Sequence, residues 1–329
     1  MNHPGTNDSE ETAAPDNGIG IPVSEVQQVI ERHPGITPWH LYIYKERHTR
    51  WDVLAISQWV NDNLPKNAAI LSVACGMGYN LYWWARRGFT NLNGFDRDAT
   101  TIVASQELIE RYGFPIRLWR DTIENADHGL QESYDFIEAM NCLMYEQCAY
   151  DNFLNNYAAA LKPGGILALD AIDQSYNTMP NNQWHTGSLK RPVSERLPNE
   201  YKTRFSAQQI VDMTAPYNLM PISTIRNPKD VVPRVIYIFR KIEEGKSSHN
   251  ARKLLRDSSN IREAVRCRGH ITIVSPDVPR PKNNKETCFN TSKPSTIATH
   301  PFLYRLPYPG TDGVEGRLTT THFFAGRSP

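Results

Sequence analysis

The sequence lacks any run approaching the ~20 consecutive apolar residues that a membrane helix needs, so no helical membrane span is expected. It has little cysteine: Cys75, Cys142, Cys148, Cys267 and Cys288, an odd number with no C-x-x-C spacing. Neither a disulfide framework nor a zinc site follows from that pattern, and no metal is expected. Residues 1–20 contain no apolar core and carry several acids, which fits neither a secretory signal nor a transit peptide. They read as a disordered lead, and a cytoplasmic location is expected. No internal repeat is present.

What the 329 residues do contain is an ordinary globular composition, 40% apolar and 22% charged, enough for one good core. The charge is uneven. From Lys246 to Pro329 there are 14 Lys and Arg against 6 Asp and Glu, whereas the whole chain is only +1. That stretch is also rich in Pro, Ser, Thr and Asn with little apolar period, so 243–329 is expected to be a basic, low-order tail.

Between the lead and the tail the pattern alternates. After helical segments up to "DVLAISQWVNDNL", the run "NAAILSVA" has strand length and is followed by the helical "NLYWWARRG". "TNLNGFD", "FPIRLW", "SYDFIEAM", "ILALDAI", "LMPISTIR" and "RVIYIFRK" read as further strands, most of them separated by helices. Asp98 and Ser206 stand where helix caps are needed. Strands alternating with helices imply a parallel sheet covered on both faces, within one domain over 21–242.

The first strand runs into "ACGMG". In such sheets ligands bind beyond the carboxyl ends of the strands, and this turn meets a helix N-terminus with free N–H groups. Gly76 and Gly78 let the backbone lie against a ligand, although a plain β–α turn would also use them. Asp96 ends the next strand, 18 residues after Gly78, the spacing at which an acid accepts the hydroxyls of a ribose. A dinucleotide fingerprint needs a third glycine, and Leu81 stands in its place, which weakens a dehydrogenase reading.

On these segments the chain resembles the class I S-adenosylmethionine-dependent methyltransferases. "LSVACGMG" matches the family's glycine motif, Asp96 its ribose-binding acid, Asp121 and Thr122 the adenine side, and "SYDFIEAMNCL" and "LKPGGILAL" its fourth and fifth strands. The resemblance implies an α/β fold, a doubly wound, Rossmann-like, seven-stranded sheet of the methyltransferase type. It also implies S-adenosylmethionine as cofactor, contacted by Ser72, Ala74, Cys75, Gly76, Gly78, Asp96, Arg97, Asp121, Thr122 and Asn141. Two positions depart from the family: Ser72 stands where an acid is usual, and Ala74 where glycine is usual.

Methyl transfer asks the protein mainly for alignment and exclusion of water, with a general base for some oxygen or nitrogen acceptors. Asn141, Asp170, Asp173, His40, Tyr42, Lys45 and His185 are candidates on the expected loops. His185, in the long 173–202 segment, is the candidate base, and that segment together with "WHLYIYKERH" is expected to cover the acceptor. The acceptor is expected to be a small molecule. A nucleic-acid methyltransferase gripping phosphate through the basic tail is one alternative, disfavoured by the body's negative charge. A cofactor-binding protein without catalysis is another, suggested by Ser72 and Ala74.

Overall fold

The computed structural model describes residues 18–125 and 132–242, and the backbone of 272–274. The expected lead falls almost wholly outside these residues. So does the expected tail, apart from one short strand.

Eight strands form one mixed sheet in the order β3-β2-β1-β4-β5-β7-β6-β8. They are β1 (Ala69–Val73), β2 (Asn91–Asp96), β3 (Ile116–Arg120), β4 (Tyr134–Ala139), β5 (Leu161–Ile172), β6 (Leu219–Arg226), β7 (Arg234–Lys241) and β8 (Thr272–Val274). The first seven are the strands read from the sequence. β8 lies within the expected tail and pairs antiparallel with β6 at the edge of the sheet.

The sheet is not wholly parallel, as the alternation alone implied. β7 runs antiparallel between β5 and β6. The reason is the short link from Arg226 to Arg234, which can join antiparallel neighbours but cannot return a chain for a parallel crossover.

β1 sits at the centre and is buried along its whole length. Its residues alternate between two cores, as the twofold period of a strand requires. Ile70 faces the core formed with α1 (Val23–Arg32), α3 (Trp51–Asn63), α4 (Tyr79–Ala85) and α5 (Ala99–Tyr112). Leu71 and Val73 face the opposite core, with α6 (Ala149–Tyr157) and α7 (Ala207–Thr214). α2 (Trp39–Glu46) lies over the carboxyl end of β1.

Both expected caps form. The Asp98 carboxylate accepts the Thr100 and Thr101 N–H groups at the start of α5. Ser206 and Gln209 make a reciprocal capping box on α7, satisfying two otherwise orphaned groups. The 173–202 excursion folds as short 3₁₀ turns and anchors its buried Tyr176 with Met144, Ile172 and Val232, beside the end of β5.

Candidate active site

The backbone between β1 and α4 carries positive φ at three alternate positions: Ala74 at 50°, Gly76 at 55° and Gly78 at 74°. Only glycine adopts this region freely, so Ala74 is held in a strained conformation. Gly76 has a second reason to be glycine. A Cβ there would come within 3.1 Å of His40 Cε1, because the α2 imidazole lies directly on the turn.

The turn also fixes the acid at the end of β2. The Gly76 N–H donates to Asp96 Oδ2 at 2.8 Å, and the Asp98 N–H donates to Oδ1 at 3.0 Å. Both carboxylate oxygens are thereby oriented, and each keeps a lone pair for a ligand hydroxyl.

Two adjoining cavities open at this edge and share Trp39, Ala74, Asp96 and Asn141. The first, about 210 Å³, is lined by Ser72, Cys75 and Gly76 below and by His40, Ile43 and Arg47 above. The second, about 360 Å³, is lined by Phe95, Arg97, Asp121, Thr122, Cys142 and Tyr145. Asp121 is oriented by Thr122 N–H and Asn125 Nδ2, at 2.8 and 2.9 Å on one oxygen. Arg97 is largely exposed and pairs with Glu146.

Nine of the ten expected cofactor residues therefore line one cavity or both. Gly78 lines neither; its positive φ makes it the N-cap of α4, and it faces Leu81 and Leu118. Asn141 is present, but its side chain is already engaged. It donates to Asp52 Oδ2 at 2.9 Å and accepts from Arg50 at 3.1 Å and from Arg234, while its N–H donates to Asp170 at 2.9 Å.

His185 is not brought to the site. It accepts the Gly187 N–H and faces Glu200 at 3.6 Å, within its own excursion. No residue of 173–202 lines either cavity. The excursion stops behind the wall, where Tyr201 packs on Tyr145 with ring centroids 5.7 Å apart. The cover comes from α2 and the turn after it, the other half of the expectation.

Sequence reasoning missed two buried charges in the first cavity. Glu138, on β4, accepts Ser72 Oγ at 2.7 Å and Asn80 Nδ2 at 3.2 Å. Burial pushes its carboxyl up to about 7, against the lowering effect of Ser72, Asn80 and Arg47. Arg47 is fully buried, and burial lowers its guanidinium to about 9. An acid inside the apolar run "YDFIEAM" was the available signal for Glu138. Arg47 had none, because only the fold of α2 over the sheet brings it there.

A third group, missed in the same way, ties α3 to the strand ends. Burial would raise the Asp52 carboxyl, but hydrogen bonds and charge from Arg50 and Arg234 hold it well below the usual carboxylate range. Asp170, at the end of β5, is raised by burial to about 6 despite Arg234 nearby.

Residues 70–165 match the family model described as a methyltransferase domain. That segment, from β1 to the start of β5, is similar to a methyltransferase domain. The match supports an enzyme of methyl transfer. Solved structures similar to the chain include an S-adenosylmethionine-dependent methyltransferase from Methanosarcina mazei (15% identity, 56% of this chain and 98% of that one, TM-score 0.47). Another is from Clostridium acetobutylicum (15%, 62% and 97%, TM-score 0.47). A third is the 1,6-didemethyltoxoflavin-N1-methyltransferase of Burkholderia thailandensis, solved with 1,6-didemethyltoxoflavin and S-adenosylhomocysteine (16%, 68% and 92%, TM-score 0.44). A search of curated proteins finds no match. Among the described residues no helix is long and apolar enough to cross a membrane, and no cluster of three or more His, Cys, Asp or Glu could hold a metal ion.

Proposed function

We propose that this methyltransferase moves a methyl group from S-adenosylmethionine to the oxygen or nitrogen of a small-molecule acceptor. The observation that carries the cofactor part is Asp96. Its carboxylate is aimed by two backbone amides and stands where the two cavities meet, as a ribose anchor between two halves of one nucleoside-containing ligand requires.

The donor set fits such a ligand. Phe95, Ile123 and Cys142 offer apolar surface beside Asp121 and Thr122 in the second cavity, suited to a base. The first cavity offers the glycine turn and buried polar groups, including Arg47 Nε and Nη1, which have no hydrogen-bond partner. The bound cofactor supplies an activated methyl on a sulfonium; the protein's part is to position it and exclude water.

The acceptor side falls under α2. Trp39, 52% exposed, stacks on Tyr42 at the mouth of both cavities, giving an acceptor an aromatic surface to enter along. His40 is the group placed to take a proton. Burial lowers its imidazole below the ordinary value, against the pull of Asp96 and Asp98, which favours the neutral form that can accept a proton.

The test is an extract of small molecules incubated with the protein and methyl-labelled S-adenosylmethionine. Label should appear in a small product by mass spectrometry, and His40→Ala should lower its rate by about 10²-fold or more. Label found only in RNA, DNA or protein would overturn the proposal.

A further inference from the structure

Ser72 leaves β1 without an acid where the family carries one, yet the cavity is not without a negative charge. The sheet register sets Ser72 beside Glu138 of β4. Glu138 is 1% exposed and takes hydrogen bonds from Ser72 Oγ and from Asn80 Nδ2.

Asn80 also reaches the other way. Its Oδ1 accepts Arg47 Nη2 at 3.3 Å, and the same nitrogen donates to Ser57 Oγ at 2.7 Å. Arg47 Nε and Nη1 are buried and have no partner. A carboxyl group and a guanidinium thus line one cavity, bridged by a single amide, and the guanidinium has donor groups unused. Burying charge costs several kcal/mol per ion unless partners replace the lost water. A ligand carrying both signs would supply those partners.

We propose that Glu138 and Arg47 bind the two charged groups of an α-amino acid head, Glu138 the ammonium and Arg47 the carboxylate. Glu138 thereby supplies from β4 the charge that Ser72 does not supply from β1. This rests on the reading that the cavity holds the amino-acid end of S-adenosylmethionine. With Glu138 ionised against a bound ammonium, the wall is charge-balanced, as is the head it would hold. Ser72 and Asn80 act as positioning residues, each holding a Glu138 oxygen in place.

Calorimetric titration of the full chain with S-adenosylhomocysteine and with 5′-methylthioadenosine tests it. The second ligand keeps the adenosine and thioether but lacks the amino-acid head. Wild-type protein should prefer S-adenosylhomocysteine by about 10²-fold or more, since two charge-assisted contacts are at stake. Glu138→Gln keeps the shape and the Ser72 bond. It should weaken S-adenosylhomocysteine roughly 10- to 100-fold and leave 5′-methylthioadenosine within about threefold of wild type. Arg47→Met should do the same.

Equal affinity of the wild type for both ligands overturns the proposal without need of any variant. So does a Glu138→Gln protein that loses both ligands equally or neither. Wild-type protein that binds neither nucleoside overturns the cofactor reading itself, a result distinct from binding both alike.

Discussion

Replacing Asp52 with asparagine should destabilise the fold by about 3–5 kcal/mol at pH 7, the cost of breaking a buried, multiply paired charge by removing one partner. The Asp52 side chain is 3% exposed. It accepts Arg50 Nε at 3.0 Å and Arg50 Nη2 at 2.7 Å, Asn141 Nδ2 at 2.9 Å and Arg234 Nη1 at 2.9 Å. Counted one by one at ~1.5–3 kcal/mol each, these bonds would exceed that figure. They share one network, however, and asparagine keeps one acceptor oxygen, so their losses do not add. The substitution strands two arginines whose partner charge has halved, because Asp170 alone then faces Arg234.

At about 2–4 °C per kcal/mol for a domain of this size, the melting temperature should fall roughly 6–20 °C. Urea unfolding should show a lower midpoint with an unchanged slope. The pH dependence carries its own sign. The folded-state pKa of Asp52 is depressed, so its stabilisation is fully present above the ordinary aspartate range and is lost as pH falls below it. The contribution of Asp52 itself to the gap between wild type and variant should therefore persist down to pH 5 and be lost only in stronger acid, on top of any change from Asp170, whose carboxyl stands at about 6. A loss under about 1 kcal/mol, or a gap that narrows as pH rises, would refute the view that this network locks α3 to the strand ends.

Glu138 predicts the opposite pH trend. Its folded-state pKa is raised, so its neutral form favours the fold, and stability should drop by about 3 kcal/mol as pH rises from 4.5 to 7; Glu138→Gln should remove that part of the slope in pH-resolved urea titrations. Ala74→Gly should raise stability by about 1 kcal/mol by relieving a positive φ, read as an increase in melting temperature. His185→Ala should leave methyl-transfer turnover within about twofold of wild type, since His185 lines neither cavity; a 10²-fold loss would return it to the mechanism.

Much of this fold was legible because its signals are local. The strand and helix periods, the Asp98 and Ser206 caps, and the small residues at 74, 76 and 78 each act within a few residues of where they are read. Asp96 was legible because the spacing from the glycine turn is set by a single helix and strand. What escaped depends on neighbours distant in sequence. Glu138 gains its meaning from Ser72, 66 residues earlier, and Arg47 from Asn80, 33 residues later. The antiparallel β7 follows from a connection length that the alternation pattern does not weigh. The 173–202 segment was long enough to reach the pocket, but its anchor, Tyr176, holds it behind Tyr145. Asn141 was correctly placed at the edge, yet its side chain belongs to the Asp52 network.

The most direct test of the account is calorimetric binding of S-adenosylhomocysteine to the wild type and to Asp96→Ala. Asp96 is held by the amides of Gly76 and Asp98 with lone pairs left for a ribose. Two charge-assisted hydrogen bonds are at stake, on the order of 1.5–3 kcal/mol each before water compensates. The wild type should bind the nucleoside, and the variant should bind it at least ~10-fold more weakly while unfolding at a similar urea midpoint. Tight binding of NAD with no affinity for S-adenosylhomocysteine, or equal affinity in the two proteins, would contradict the account.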